Sequence, residues 1–465
     1  MTAQDTGFDR AALDAVRANF RGELIEPDDP RYDKTRVVWN ARVDRRPALI
    51  ARCTGVADVL HVLSVAREHA VPIAVRGGGH DVAGNAVCDG GVVIDLTPMK
   101  GVRVDPARRV VRAQAGLTWA ELDRETQAFG LATTGGQCSS TGVAGVTLGG
   151  GIGWLMGRHG LTIDNLLSVD VVTADGRLLT ASEDENPELF WGLRGGGGNF
   201  GIATEFELRL HPVRDVVAGL LVYHGDRFAE LLRCYRQFAE TQPDDLSSTI
   251  IYLTAPPMPG IPEELHNAPA VAIGVCHSGT PEDAEAALRP LRELRPAADM
   301  IATMPYLTLQ SMFDGMPAGD YGYAQSIRTG YLPDLSDEAI AAIAEQAAAV
   351  VSPLCLVELI HLCEAARIPD ADSAFPGRDA GFFCMLQSTW SDPADAESHT
   401  AWTGRGWAAV QPFTDGRTYP NFIDGDEPAQ RVADSYGPEK LARLTALKRE
   451  FDPGNLFRLN KNIEP

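Results

Sequence analysis

The spacing of apolar residues predicts a chain that changes texture near residue 213. Phe8, Ala12, Val16 and Phe20 recur at every fourth position, which predicts an amphipathic helix over 8–20. Residues 26–40, with two Pro and many charges, read as a connecting loop. Short apolar runs then alternate with helical spacing. Strands are predicted at 48–52, 71–75, 92–96 and 110–115, with a helix capped by Thr54 that places Val56, Val59, Leu60 and Leu63 on one side. A second helix over 118–129 carries Thr118 as cap and Glu121 at the capping-box position. Runs at 166–173 and 178–181 flank Ala174-Asp175-Gly176-Arg177 as a hairpin, followed by a helix at 186–194 and a strand at 202–210. Beyond His211-Pro212-Val213, strand patterns at 217–223, 249–254, 270–276, 355–362 and 381–390 alternate with amphipathic helices. One of these carries Phe228, Leu231, Leu232, Tyr235 and Phe238, and another runs over 336–351; residues 256–262 and 305–331 read as interruptions. This second region is a sheet backed by helices. Phe383, Met385, Gln387 and Thr389 share one strand face of mixed polarity, which fits either a cavity wall or a solvated surface. A helix over 439–450, stopped by Pro453-Gly454, precedes an apolar tail that docks on a domain.

Two glycine-rich stretches interrupt this pattern. Residues 133–159 hold Cys138 within a run that is nearly free of charge. Many glycines cost backbone entropy, so the run suits either close approach to a large flat ligand or a set of tight turns around a buried thiol. Strand 71–75 ends in Arg76-Gly77-Gly78-Gly79-His80-Asp81. Three glycines between Arg and His exceed what a turn needs and favour a ligand held by backbone N–H groups. No Gly-Lys-Ser/Thr follows, so it is not a P-loop. Residues 196–201 match G-x-G-x-x-G, but a helix precedes and a strand follows, the reverse of a dinucleotide fingerprint.

Composition narrows the function. A chain of 465 residues suggests two or three domains. The net charge of −22 opposes binding to nucleic acid or anionic membranes. The eight Cys include no C-x-x-C pair, so neither a zinc site nor a disulfide framework is read. The N-terminal residues lack a basic segment followed by an apolar run, and no stretch is long enough to span a membrane, so a reducing cytoplasm is the expected location.

Three blocks together resemble the berberine bridge enzyme-like flavin oxidases of the vanillyl-alcohol oxidase superfamily. They are Arg76–His80; Gly136 through Gly149–Gly151, Arg158-His159-Gly160 and Asp164-Asn165 to Phe190–Gly201; and the tail from Tyr419 to Ile463. The resemblance implies an α+β, two-lobed PCMH-type FAD-binding domain with an antiparallel-sheet substrate domain backed by helices. The divisions expected are 1–42 for an N-terminal helix and linker, 43–213 for FAD binding, 214–409 for substrate, and 410–465 for a segment returning to the FAD lobe. FAD is the implied cofactor, tethered through His80 and Cys138. Neutral imidazole attacks the activated 8-methyl group and thiolate adds at ring position 6. Gly77, Gly78 and Gly79 are expected at the pyrophosphate, in a loop bounded by Arg76 and Asp81. Gly136, Gly142, Gly145, Gly149, Gly150, Gly151, Gly153, His159, Asp164 and Ile202 are expected along flavin and adenine, with Tyr419, Asn421, Phe422, Asn460 and Asn462 closing from the tail. Relatives often have Tyr where this chain has Phe422, which has no proton to exchange. The search for a base therefore moves to Tyr321, Tyr323, Glu358, His361, Glu364 and Gln387. The implied reaction is hydride transfer from a C–H beside O or N of a sugar, an alkaloid-type amine or a natural-product intermediate, with O2 reduced to H2O2. A dehydrogenase that excludes O2 and a non-redox flavin-holding scaffold are the alternatives. The expected partners are a small molecule and O2, in a monomer or homodimer without a metal.

Overall fold

A computed structural model describes residues 10–362 and 368–465. Its strands form three principal sheets. In the first, Leu49–Arg52 and Ile73–Arg76 both run parallel to Val92–Asp95, and Glu23–Ile25 adds an antiparallel edge. The helix Val56–Glu68 makes the crossover between them. Its N-cap is Gly55, not Thr54. Asp58, three residues into the helix, accepts from both the Thr54 N–H and hydroxyl, so the capping side chain lies inside the helix. The second sheet is antiparallel, in the order Val102–Asp105, Val110–Gln114, Ile202–Arg209, Leu166–Val172, Leu178–Ser182. Helix Trp119–Gln127 carries the capping box that Thr118 and Glu121 predict.

The third sheet orders Asp215–His224, Pro269–His277, Leu246–Thr254, Leu356–His361, Phe382–Trp390 and Ala324–Leu332, all antiparallel, with short strands paired to its first member. Strand Ala324–Leu332 falls in a stretch whose sequence reads as loop. Its Gln325, Ser326 and Thr329 are polar yet buried, which hides the alternation. Helices Phe228–Ala239, Pro281–Glu293, Asp337–Ala348 and Ala396–Val410 cover one face through Leu232, Tyr235, Leu288, Ile343 and Trp402. The other face meets the glycine-rich region in a separate apolar cluster that joins Ile327, Ile360, Phe383 and Met385 to Ile152, Met156, Tyr419 and Phe422. Strand Phe382–Trp390 is buried along its whole length, so its mixed face is not solvated.

Glycine content masks the helix Val143–Gly149 in the central run. The C-terminal helix starts earlier than its apolar spacing indicates. It spans Gln430–Phe451 and kinks at Gly437 before Pro438. The tail then returns to the first lobe. Ile463 N–H donates to Asn199 Oδ1 at 3.0 Å, and Lys461 Nζ lies 3.6 Å from Asp81.

Candidate active site

Two loops cross where the first and second sheets meet. Strand Ile73–Arg76 feeds the loop 77–81, and the loop carrying Cys138 passes over it. A β-carbon on Gly78 would lie 2.4 Å from Gly142 N, so only glycine lets the backbones touch. The Cys138 loop is laced to helix Trp119–Gln127 by Trp119 N–H to Thr141 O (3.0 Å) and Ala120 N–H to Ser139 O (2.8 Å). The crossing brings His80 to Ser140, with Nε2 to Oγ at 3.2 Å.

His80 is packed between rings. Trp39 stacks on it at 5.3 Å, and Tyr321 meets it edge-on at 5.4 Å. The Tyr321 hydroxyl donates to Gly78 O at 2.7 Å, so it is already engaged. Burial lowers the His80 pKa to about 4, so the ring is neutral at pH 7. Cys138 behaves oppositely. Burial, with Glu358 and Asp314 adding negative charge, pushes its thiol up to about 12. The segment before strand Ala324–Leu332 roofs it. Ser139 Oγ donates to Asp314 Oδ2 at 2.6 Å, and a β-carbon on Gly319 would lie 3.3 Å from Cys138 Sγ.

Register places Glu358 opposite Ile251 and Met385, and Gln387 opposite Leu356 and Ile327, all on the face that meets the first lobe. The Glu358 carboxyl accepts from Thr249 Oγ1 at 2.8 Å, and burial raises its pKa to about 7. Gln387 donates to Ala318 O and Gln325 Oε1, both at 3.0 Å. Phe422 packs 5.7 Å from Phe383 and 5.6 Å from Tyr419. Tyr323 lends its carbonyl to Ala41 N–H at 2.9 Å. His361 sits on the helix-covered side of its strand, 5.5 Å from Phe382. Glu364 lies outside the described residues.

Several candidates are committed to the protein itself. Arg76 turns from the loop and donates to the carbonyls of Thr35, Arg36 and Ala86. Asp81 accepts from Asn85 N–H at 2.9 Å. Both Asp164 oxygens pair with Arg378, and Oδ2 also takes Leu161 N–H. His159 stacks on His211 at 3.7 Å but leaves its Nε2 buried without a protein partner, and the Ile202 side chain is in the core. Gly136, Gly149, Gly150, Gly151 and Gly153 each meet neighbouring atoms within 3 Å of an added β-carbon, so they serve close packing.

A cleft nearby is different. Around Gly145, Gly197 and Gly198 an added β-carbon would meet nothing within 4 Å. Asn421 Nδ2 donates to Gly145 O at 3.0 Å and to Tyr419 OH, which also accepts from Gly151 N–H at 3.0 Å. Asn460 Nδ2 donates to Gly198 O at 3.2 Å. The Thr147 hydroxyl and the side-chain oxygens of Asn460 and Asn462 are buried without a protein partner. Sequence reasoning missed Trp39, Ser140, Thr147, Gly197 and Gly198. The signal for the last two was their place in four consecutive glycines.

Residues 47–182 match the family described as FAD binding domain, and residues 418–464 match berberine and berberine like. The chain is 32% identical to the (R)-6-hydroxynicotine oxidase of Paenarthrobacter nicotinovorans over 97% of this chain and 98% of that one. The crystal structure of 6-hydroxy-D-nicotine oxidase from Arthrobacter nicotinovorans superposes with a TM-score of 0.84 at 30% identity, covering 96% of this chain and 98% of its own. The xylooligosaccharide oxidase of Myceliophthora thermophila shares the fold, with a TM-score of 0.85 at 22% identity over 98% and 99% of the two chains. Unpartnered amide and hydroxyl oxygens beside open glycines fit the polar chain of an extended dinucleotide. The chain belongs to the berberine bridge enzyme-like family and is an FAD-linked oxidoreductase with an α+β, PCMH-type fold.

Proposed function

We propose that this enzyme is an oxidase whose FAD is tethered at His80 and Cys138, and that Glu358 takes the substrate proton. FAD supplies the hydride acceptor at N5, and O2 takes the electrons to give H2O2. The observation that carries the reading is Glu358, a buried carboxyl with its pKa raised to about 7, on the sheet face beside Cys138 and opposite Met385. A base is most effective when its pKa matches the working pH. Gln387 is an amide without basic character, and the Tyr321 phenol, raised by burial and donating to Gly78 O, stays protonated, so neither is available as a base near neutral pH. Among the described residues the wall is mostly aliphatic and aromatic, and the Gln325–Gln387–Thr389 groups bond one another. A sugar needs many free polar partners, so this wall favours an apolar ring bearing an amine or a single hydroxyl. The nicotine oxidase relative supports the same class.

The tethers differ in readiness. The His80 ring is a nucleophile as it stands, whereas the Cys138 thiol must first lose its proton. The decisive experiment screens heterocyclic amines, benzylic alcohols and oligosaccharides for peroxide release, after acid precipitation has measured bound flavin. Peroxide with amines or benzylic alcohols supports the reading. Full flavin release by acid removes the tethers, and flavin reduction that air does not reverse makes the enzyme a dehydrogenase.

A further inference from the structure

Ser140 touches only one nitrogen of His80, and its own proton has another destination. Oγ lies 3.2 Å from His80 Nε2 and donates to Gly319 O at 3.5 Å. A backbone carbonyl only accepts, and a serine hydroxyl has one proton to give. With that proton on Gly319, the hydrogen bond to the ring is made by Nε2–H. The ring is neutral, so the free lone pair is on Nδ1. Trp39 on one face and Tyr321 at the edge hold the ring in this orientation. Both neighbours are themselves fixed to the glycine loop, through Trp39 N–H to Gly79 O at 2.9 Å and Tyr321 OH to Gly78 O.

We infer that Ser140 is a positioning residue for flavin attachment, holding the proton on Nε2 so that Nδ1 bonds the 8-methyl carbon. The inference rests on the His80 tether proposed above. In the balance, Nδ1 gains one C–N bond, one proton leaves the methyl carbon and one leaves Nε2. The electron pair left on the flavin ring passes to O2 with two protons as H2O2. As Nδ1 bonds carbon, the ring acquires positive charge and Nε2–H becomes a stronger donor to Ser140. Hydrogen bonds to charged groups are worth about 1.5–3 kcal/mol, so losing this one slows attachment about 10- to 100-fold.

The test mixes full-length apoprotein with FAD and follows the growth of acid-stable flavin on the His80 peptide, with noncovalent FAD affinity as control. Ser140→Ala slows attachment 10- to 100-fold at unchanged affinity, Ser140→Thr restores it, and NMR of the isolated flavin peptide finds the bond at Nδ1. Attachment at the wild-type rate in Ser140→Ala, a bond at Nε2, or loss of FAD affinity that Ser140→Thr does not recover overturns the inference. If wild-type protein carries no flavin on His80, the tether reading fails. The 15N shifts of the His80 ring then decide the role of Ser140: a protonated Nε2 that becomes mixed in Ser140→Ala upholds it, and a protonated Nδ1 overturns it.

Discussion

Glu358→Gln removes the buried carboxyl beside Cys138 while keeping its shape and its bond to Thr249. A positioned base contributes about 10²–10⁴-fold to proton transfer, so flavin reduction by a hydroxyl substrate falls by that range. The wild-type rate rises as pH passes through about 7, because the carboxylate is the active form. Thr249→Val gives the finer test. Its hydroxyl stabilises the carboxylate, and a bond to a charged group of about 1.5–3 kcal/mol equals roughly 1–2 pKa units, so the midpoint moves up by that amount. Stability runs the other way. The folded pKa lies above the ordinary 4.5, so ionisation costs stability progressively from pH 4.5 to about 7. Glu358→Gln therefore stabilises the protein at pH 8, by up to roughly 3 kcal/mol, and not at pH 4. The assay is anaerobic stopped-flow bleaching of the flavin band across pH 5–9, paired with denaturant melts at both extremes. An unchanged pH profile in Glu358→Gln, or a midpoint that falls in Thr249→Val, refutes the assignment.

Asp164→Ala breaks the ion pair with Arg378, whose side chain is 1% exposed, and costs about 3–5 kcal/mol in a denaturant titration. Gly78→Ala drives a β-carbon into the Gly142 backbone, and the purified variant loses its flavin absorbance. The thiol of Cys138, with a pKa of about 12, becomes thiolate tenfold more with each pH unit. Attachment at Cys138 in reconstituted protein therefore speeds about 100-fold between pH 7 and 9, read by peptide mapping, while that at His80 stays level.

What the sequence showed and what it hid follow from burial. Strands such as Leu166–Val172 and Ile202–Arg209 were legible because their apolar residues face a core, and Thr118 with Glu121 marked a helix start. Ala324–Leu332 was not, because polar side chains satisfied one another inside the sheet. Among the candidate residues, His80 and Cys138 stood out by their glycine-rich setting. Asp164 and Arg76 carried the same appearance for another reason, since Asp164 anchors Arg378 and Arg76 anchors the segment before residue 40. A charged residue beside glycines signals a constrained backbone, and only partners far along the chain reveal whether ligand or protein fills it. Ser140 and Trp39 had no local signal at all, because both act through a ring brought to them by folding.

The returning tail also sets a schedule. Tyr419, Asn421, Asn460 and Asn462 form one wall of the cleft, and they follow every strand of the large sheet in the chain. A ribosome thus finishes the sheet and its covering helices before the cleft has its last side. Chains released before residue 419 hold both glycine loops yet lack Tyr419, Asn421, Asn460 and Asn462. A premature stop in the last tenth of the message removes this wall together with Leu444, Leu447, Phe451 and Ile463 of the first lobe's core, so the shortened chain is expected to lose packing as well as colour.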